Sequence, residues 1–140
     1  MKNKRIAANL ELAKQVAEQS HFKKIHIGCV ITYKNLPIAL GYNSHKTHPL
    51  QKKYNRYRTN REGIGEITPK RHAEINALSK IKREDVNPEK MVAYIYRIKI
   101  EKPYYGLARP CPSCMKALKD FGIKKIVYTT NDGYAEETIG

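Results

Sequence analysis

Two short segments carry side chains that could together bind a metal and move protons. His72 and Glu74 are two residues apart, and Cys111 and Cys114 form a Cys-x-x-Cys pair further along the chain. One imidazole and two thiolates occupy three of the four tetrahedral positions that zinc prefers, and an open fourth position is typical of catalytic zinc. We therefore expect His72, Cys111 and Cys114 to bind Zn²⁺, with water in the remaining position, where its pKa falls to about 7.

Glu74 is placed to handle protons at such a metal site. A carboxylate two residues past a ligating histidine can approach the bound water without ligating zinc, take its proton and pass it to a leaving group. Both segments also precede or begin predicted helices, whose first turns carry a partial positive charge that stabilises thiolates. The residue types and their positions thus predict hydrolytic chemistry.

Each segment alone has a more ordinary interpretation. A histidine near a glutamate at a helix start is usually structural, and a lone Cys-x-x-Cys also occurs in redox pairs and zinc knuckles. Together, the segments match the H-x-E…P-C-x-x-C pattern of zinc-dependent base deaminases. The third cysteine, Cys29, lies in a predicted buried strand and is best explained as a small core residue.

The elements that must position these residues alternate between strands and helices. Helical spacing of apolar residues predicts the helices, and runs rich in Val, Ile and Tyr predict the strands. The predicted elements are helices 7–20, 71–81 and 112–121, strands 25–33, 38–42, 91–100 and 123–130, and a turn at 35–37. No element is assigned in the polar segment 43–70 or in the last ten residues. This order predicts an α/β fold, a three-layer α/β/α sandwich with a mixed sheet of four or five strands.

Length, hydropathy and charge narrow the class of protein. A chain of 140 residues fits one domain, 1–140. No apolar run is long enough to cross a membrane, so we expect no membrane contact and a cytoplasmic protein. The 27 Lys and Arg against 13 Asp and Glu give a net charge of +14. This excess favours an anionic partner, either a nucleotide phosphate or a polynucleotide, over a merely solubilising surface.

Segment 43–71 concentrates positive charge, and Tyr54 and Tyr57 lie among its bases. Cations that follow phosphates and rings that stack on bases suit a nucleic-acid single strand. A clamp for one phosphate and a solvated loop are the alternatives. The basic residues are Lys46, Lys52, Lys53, Arg56, Arg58, Arg61, Lys70 and Arg71.

Several segments resemble the cytidine/deoxycytidylate deaminase superfamily, and more narrowly its deoxycytidylate (dCMP) deaminase-like branch. These are Ile27-Gly28-Cys29-Val30-Ile31, Gly41-Tyr42-Asn43, His72-Ala73-Glu74-Ile75-Asn76-Ala77-Leu78, Pro110 to Cys114, Gly122-Ile123-Lys124 and Val127-Tyr128. Two more are similar to small members carried by phages: Thr47-His48-Pro49 and Tyr54-Asn55-Arg56. The resemblance implies zinc at the His-Cys-Cys site, Glu74 as the proton shuttle, and a contact from Asn43 to the sugar or base.

Further substrate contacts are expected from residues beside the two motifs. They are Ala73, through its backbone N–H, and Pro110, Arg71 and Arg109. A homo-oligomer is a further expectation from the resemblance.

Three functions remain open from the sequence. The first is deamination of cytosine to uracil in a nucleotide such as dCMP. The second is deamination of cytosine, and secondarily adenine, in single-stranded DNA or RNA. The third is a non-catalytic module with structural zinc, which the carboxylate of Glu74 argues against because a structural site would use a fourth protein ligand.

Overall fold

A five-stranded mixed sheet, in the order β2-β1-β3-β4-β5, forms the centre of the protein. The computed structural model describes residues 2–21, 25–44, 49–55, 72–82, 86–98 and 107–140. The parallel pair is β3 with β4, and the other neighbouring strands are antiparallel. The strands are β1 (Ile27–Tyr33), β2 (Leu36–Tyr42), β3 (Met91–Arg97), β4 (Lys125–Thr129) and β5 (Tyr134–Thr138).

Helices cover both faces of this sheet. They are α1 (Lys2–Ala17), α2 (Pro49–Asn55), α3 (Ala73–Leu78) and α4 (Pro112–Phe121), and a 3₁₀ turn (Pro88–Lys90) precedes β3. On one face, α1 packs with side chains that include Val30, Tyr94 and Val127. On the other, α3 and α4 pack against a cluster that includes Ile31, Ile95 and Ile126. The three-layer α/β/α fold with a mixed five-stranded sheet is therefore confirmed. Within the described part of the chain, no helix combines the length and apolar character that a membrane span requires.

Two glycines let helices approach the sheet closely, one on each face. A Cβ at Gly28 would lie 2.1 Å from the Ala13 carbonyl oxygen of α1. A Cβ at Gly41 would lie 2.4 Å from the Ala73 carbonyl oxygen and 2.4 Å from the Ala77 nitrogen of α3. Because these neighbours are backbone atoms, they cannot move aside without shifting the helix. Gly41 thus sets the position of α3, which begins directly after His72.

Replacing Gly41 with alanine should push α3 away from β2. We expect the free energy of unfolding to fall by about 3 kcal/mol, the upper end of typical overpacking costs, and zinc affinity to weaken because His72 moves with the helix. Urea denaturation and zinc titration measure the two effects. Gly133→Ala is the matched control, because nothing lies within 4 Å of its Cβ position. Equal stability of the two variants would contradict this account of the α3–β2 contact.

The predicted elements differ from the structure mainly at their ends and in two omissions. Strand β2 begins at Leu36, and the hairpin turns instead at Lys34 and Asn35, both with positive φ. Pro37 lies inside β2, which an edge strand tolerates because its missing N–H need not pair. Neither α2 nor β5 was assigned from the sequence.

Candidate metal centre and active site

The three predicted metal ligands lie together. The His72 Nδ1 atom is 3.3 Å from the Cys114 sulfur and 3.6 Å from the Cys111 sulfur. All three ligand atoms lie within 4.8 Å of one another. Zinc bonds of about 2.1 Å to nitrogen and 2.3 Å to sulfur, at tetrahedral angles, would place nitrogen and sulfur about 3.6 Å apart. The donor set and its spacing therefore fit one zinc ion.

Two helix starts bring these side chains together. His72 is the N-cap of α3 and Cys111 is the N-cap of α4, each with extended backbone. Neither side chain makes a capping hydrogen bond to its own helix, so both can face the metal position. Pro112 occupies the start of α4, where a missing N–H costs no helix hydrogen bond. Cys114 follows in the first turn and is completely buried.

The contact between the two cysteine side chains shifts their pKa values in opposite directions. The Cys114 thiol donates to the Cys111 sulfur, and this bond lowers the pKa of Cys111 to about 3 against the effect of burial, with further help from His72 and Ser113. The same bond, together with burial, raises the pKa of Cys114. The buried Ser113 hydroxyl lies 3.2 Å from the Cys111 sulfur. The lowered pKa favours the thiolate form of Cys111, which is the form that binds zinc.

Glu74 lies in the first turn of α3, and its side chain is almost completely buried. Burial, followed by the nearby Cys111 thiolate, raises the pKa of the Glu74 carboxyl from 4.5 to about 7, although His72 opposes the shift. A group that titrates near neutral pH can both accept and return a proton at working pH. The environment of Glu74 therefore suits acid–base chemistry.

This raised pKa makes the stability of the metal-free protein depend on pH at Glu74. An acid whose pKa is raised by folding costs stability as pH rises above its unfolded value, and the full cost is reached above the folded pKa of about 7. The difference corresponds to about 3 kcal/mol at pH 8. Glu74→Gln should therefore stabilise the metal-free protein by about that amount at pH 8 and by little at pH 4. Urea denaturation at both pH values tests this, and an equal effect at both would contradict it.

The expected substrate contacts near α3 lie at the same end of the sheet. Ala73 is the first residue of α3, where a backbone N–H has no partner within the helix. Asn43 follows β2, and its amide is already used: Nδ2 donates to the Ile25 carbonyl at 2.9 Å and Oδ1 accepts from the Ile27 N–H at 3.0 Å. Asn43 thereby fixes the start of β1, and these two bonds use two of the four hydrogen-bonding positions of its amide.

Arg109 and Pro110 lead into the Cys-x-x-Cys segment. Pro110 is buried, whereas the Arg109 side chain is half exposed and donates through Nε and Nη2 to both carboxylate oxygens of Glu137 in β5, at 3.0 and 2.8 Å. Tyr128 donates to the same carboxylate at 2.9 Å. Arg109 therefore anchors this segment to the sheet edge. Arg71 lies outside the described residues.

Most of the basic segment 43–71 also lies outside the described residues. Its described part contains α2, where the Lys53 ammonium lies 5.4 Å from the centre of the Tyr54 ring. Gln51, which the sequence did not single out, is completely buried in α2 and accepts a hydrogen bond from the His72 backbone N–H at 2.9 Å. Ser113 and Glu137 were missed as well, because their roles depend on neighbours that spacing along the chain does not reveal.

A three-layer α/β/α fold with one His and two Cys beside a buried Glu is the arrangement of zinc-dependent base deaminases. The chain belongs to the cytidine and deoxycytidylate deaminase family, because residues 3–130 match the family's zinc-binding region. It is accordingly a deaminase, a hydrolytic enzyme with zinc as its cofactor. No protein of curated function matches the sequence.

Solved structures share the fold at low sequence identity. A cytidine deaminase from Burkholderia pseudomallei is 14% identical with a TM-score of 0.61, and the alignment covers 94% of this chain and 91% of that one. The apo dCMP deaminase of cyanophage S-TIM5 is 21% identical with a TM-score of 0.59, covering 90% and 82%. The structure of that enzyme in complex with dCMP and dUMP is similar at a TM-score of 0.60 and 19% identity, covering 90% and 81%.

Proposed function

We propose that the protein converts the cytosine of a nucleotide such as dCMP into uracil. The observation that carries this proposal is that the ligand atoms of His72, Cys111 and Cys114 lie within 4.8 Å of one another. Buried Glu74 lies in the first turn of α3, directly after the N-cap His72 and Ala73. Three protein ligands leave a tetrahedral ion one position for solvent. The named substrate is supported by the family and by the cyanophage enzyme, whose structure holds dCMP and dUMP.

In this mechanism, His72, Cys111 and Cys114 would hold zinc, which would supply a Lewis acid that makes water acidic enough to react at neutral pH. Glu74 accepts a proton from the attacking water as its oxygen bonds to the ring carbon that bears the amine. Glu74 then returns the proton to the amine nitrogen as the C–N bond breaks and ammonia leaves. The attack also opens the double bond from this carbon to the neighbouring ring nitrogen, and the second proton of the water ends on that nitrogen. The ring carbon keeps the oxygen as a carbonyl, so cytosine and water give uracil and ammonia.

The proposed substrate contacts surround this centre. The Ala73 N–H, which has no partner within α3, and the amide of Asn43 would hold the base and sugar, and buried Pro110 would form part of the wall of the site. Arg109, with Glu137 holding two of its nitrogens, would offer Nη1 to a phosphate. Arg71, which directly precedes His72 in the sequence, would be a further contact to the substrate.

An activity panel tests this function. Zinc-loaded protein is given dCMP, deoxycytidine, and oligonucleotides containing cytosine or adenine, and ammonia release is measured. The proposal predicts turnover of dCMP, and faster turnover of dCMP than of deoxycytidine because of the phosphate contact. If none of these compounds releases ammonia, the proposed activity is refuted. Equal rates for dCMP and deoxycytidine would show that the proposed phosphate contact does not contribute to turnover.

A single-stranded polynucleotide is the second candidate substrate, favoured by the net charge of +14. A polymer that contacts many cationic side chains releases many counterions, so its apparent affinity should fall steeply as salt rises from 50 to 200 mM. A mononucleotide makes few such contacts and should depend only weakly on salt. If affinity depends steeply on salt and the oligonucleotide is turned over faster than dCMP, the polynucleotide would replace dCMP as the proposed substrate.

A further inference from the structure

Helix α2 connects the two helices that carry the metal ligands. At its first turn, Gln51 accepts from the His72 N–H, directly before α3. One turn later, the Tyr54 hydroxyl donates to Asp120 of α4 at 2.9 Å. His72 is a metal ligand directly before α3, whereas Asp120 lies near the end of α4, about two turns beyond Cys114. The contact from Gln51 is therefore the one that lies beside the metal ligands.

The contact between Gln51 and His72 joins a completely buried side chain to the backbone of a partly buried residue. Gln51 has no exposed surface, and burying an amide is unfavourable unless it is hydrogen-bonded. The N–H of His72 is one of the donors at a helix start that find no partner within the helix. The hydrogen bond therefore gives the buried Gln51 amide a donor and gives the His72 N–H an acceptor. The bond fixes the backbone from which the His72 imidazole reaches the two sulfurs.

We propose that Gln51 is a positioning residue for the metal centre. It keeps the His72 Nδ1 atom close enough to the sulfurs of Cys111 and Cys114 for all three to bind one metal ion. This inference rests on the proposed metal site and adds the residue that holds its imidazole in place. Hydrogen-bond partners that orient a metal ligand typically change metal affinity by 10- to 100-fold when they are lost. Because the bond is made by the backbone of His72, it should also form in the metal-free protein.

Two readouts test the proposal in Gln51→Met, which keeps the length of the side chain and removes the acceptor. In the metal-free protein, amide hydrogen exchange at His72 should accelerate at least 10-fold. In chelator competition, the zinc dissociation constant should rise about 10- to 100-fold. Gln51→Glu keeps an acceptor oxygen at the same distance from the backbone, so amide exchange at His72 should be as slow as in the wild type. If Gln51→Met does not fold, Gln51→Asn, whose amide is one methylene too short, is measured in the same way.

Tyr54→Phe is the matched control on the same helix, because it removes the hydrogen bond to Asp120 and leaves Gln51 in place. It should lower the melting temperature while keeping the wild-type zinc affinity and the wild-type exchange at His72. Wild-type zinc affinity in Gln51→Met, or an equal loss of affinity in Tyr54→Phe, would overturn the positioning role. A wild-type protein that binds no zinc would instead overturn the metal site itself, so the two failures are distinguishable.

Discussion

Replacing Glu74 with glutamine should nearly abolish deamination while zinc stays bound. The amide keeps the size of the carboxylate and one acceptor oxygen but cannot accept and return a proton. Loss of a general acid–base group costs about 100- to 10,000-fold in rate, and we expect the upper part of this range because Glu74 handles both proton transfers. Ammonia release from dCMP and zinc content by elemental analysis measure the two halves of the prediction.

Glu89→Gln is the matched control for this substitution. Glu89 is mostly exposed in the 3₁₀ turn and pairs with Lys124 at 3.0 Å. An exposed pair of this kind contributes little to stability, so activity and zinc content should both remain at the wild-type level. A Glu74→Gln enzyme with wild-type turnover would remove Glu74 from the mechanism.

Replacing Cys114 or Cys111 with serine should abolish tight zinc binding and the stability that zinc provides. A hydroxyl is a far weaker ligand for zinc than a thiolate, and two remaining ligands do not make a tight site. A metal that binds only the folded protein adds about 4 kcal/mol when its concentration is 1,000 times the dissociation constant. Thermal unfolding with and without zinc should therefore show a large shift for the wild type and almost none for either variant.

Cys29→Ala is the control for the cysteine variants. Cys29 is completely buried in β1 and is not part of the His-Cys-Cys cluster. Its substitution should cost some packing energy, because a buried sulfur is lost, and should leave the zinc-induced shift intact. Full zinc stoichiometry in Cys111→Ser and Cys114→Ser would show that the assigned ligands are wrong.

The parts of the fold that were predicted correctly are those whose local signals agree with their tertiary setting. Helix α4 has the predicted bounds, with proline at its start and Gly122 at its end in the left-handed conformation, φ 108°. Strand β3 begins at Met91 as expected because its Val, Ile and Tyr residues are both strand formers and core residues. The metal cluster could be predicted because the types of its ligands and the short spacing of its two cysteines can be read directly from the sequence.

The elements that were missed are stabilised by contacts that are distant along the chain. Helix α2 has few apolar residues, and the most deeply buried of its described side chains is the polar Gln51, so hydrophobic spacing gives no signal. Strand β5 is highly polar, and its acidic residues pair with distant cations, Glu136 with Lys2 and Lys125. Such partners become neighbours only after folding.

The expected substrate contacts show the same limit at the level of single side chains. Asn43 and Arg109 were identified from their positions beside the motifs, but the amide of one and the guanidinium of the other already bind neighbouring elements. Their positions in the sequence predicted that both residues contact the substrate. Asn43 binds the start of β1 and Arg109 binds Glu137 of β5. These partners come close only in the folded protein, so the sequence does not reveal them.

Anomalous diffraction at the zinc absorption edge, from crystals of the zinc-loaded protein, tests the metal centre most directly. The account predicts one strong peak bonded to His72 Nδ1 and to the sulfurs of Cys111 and Cys114, with a solvent molecule as the fourth ligand beside the Glu74 carboxylate. A peak elsewhere, or an ion closed off by four protein ligands, would contradict it.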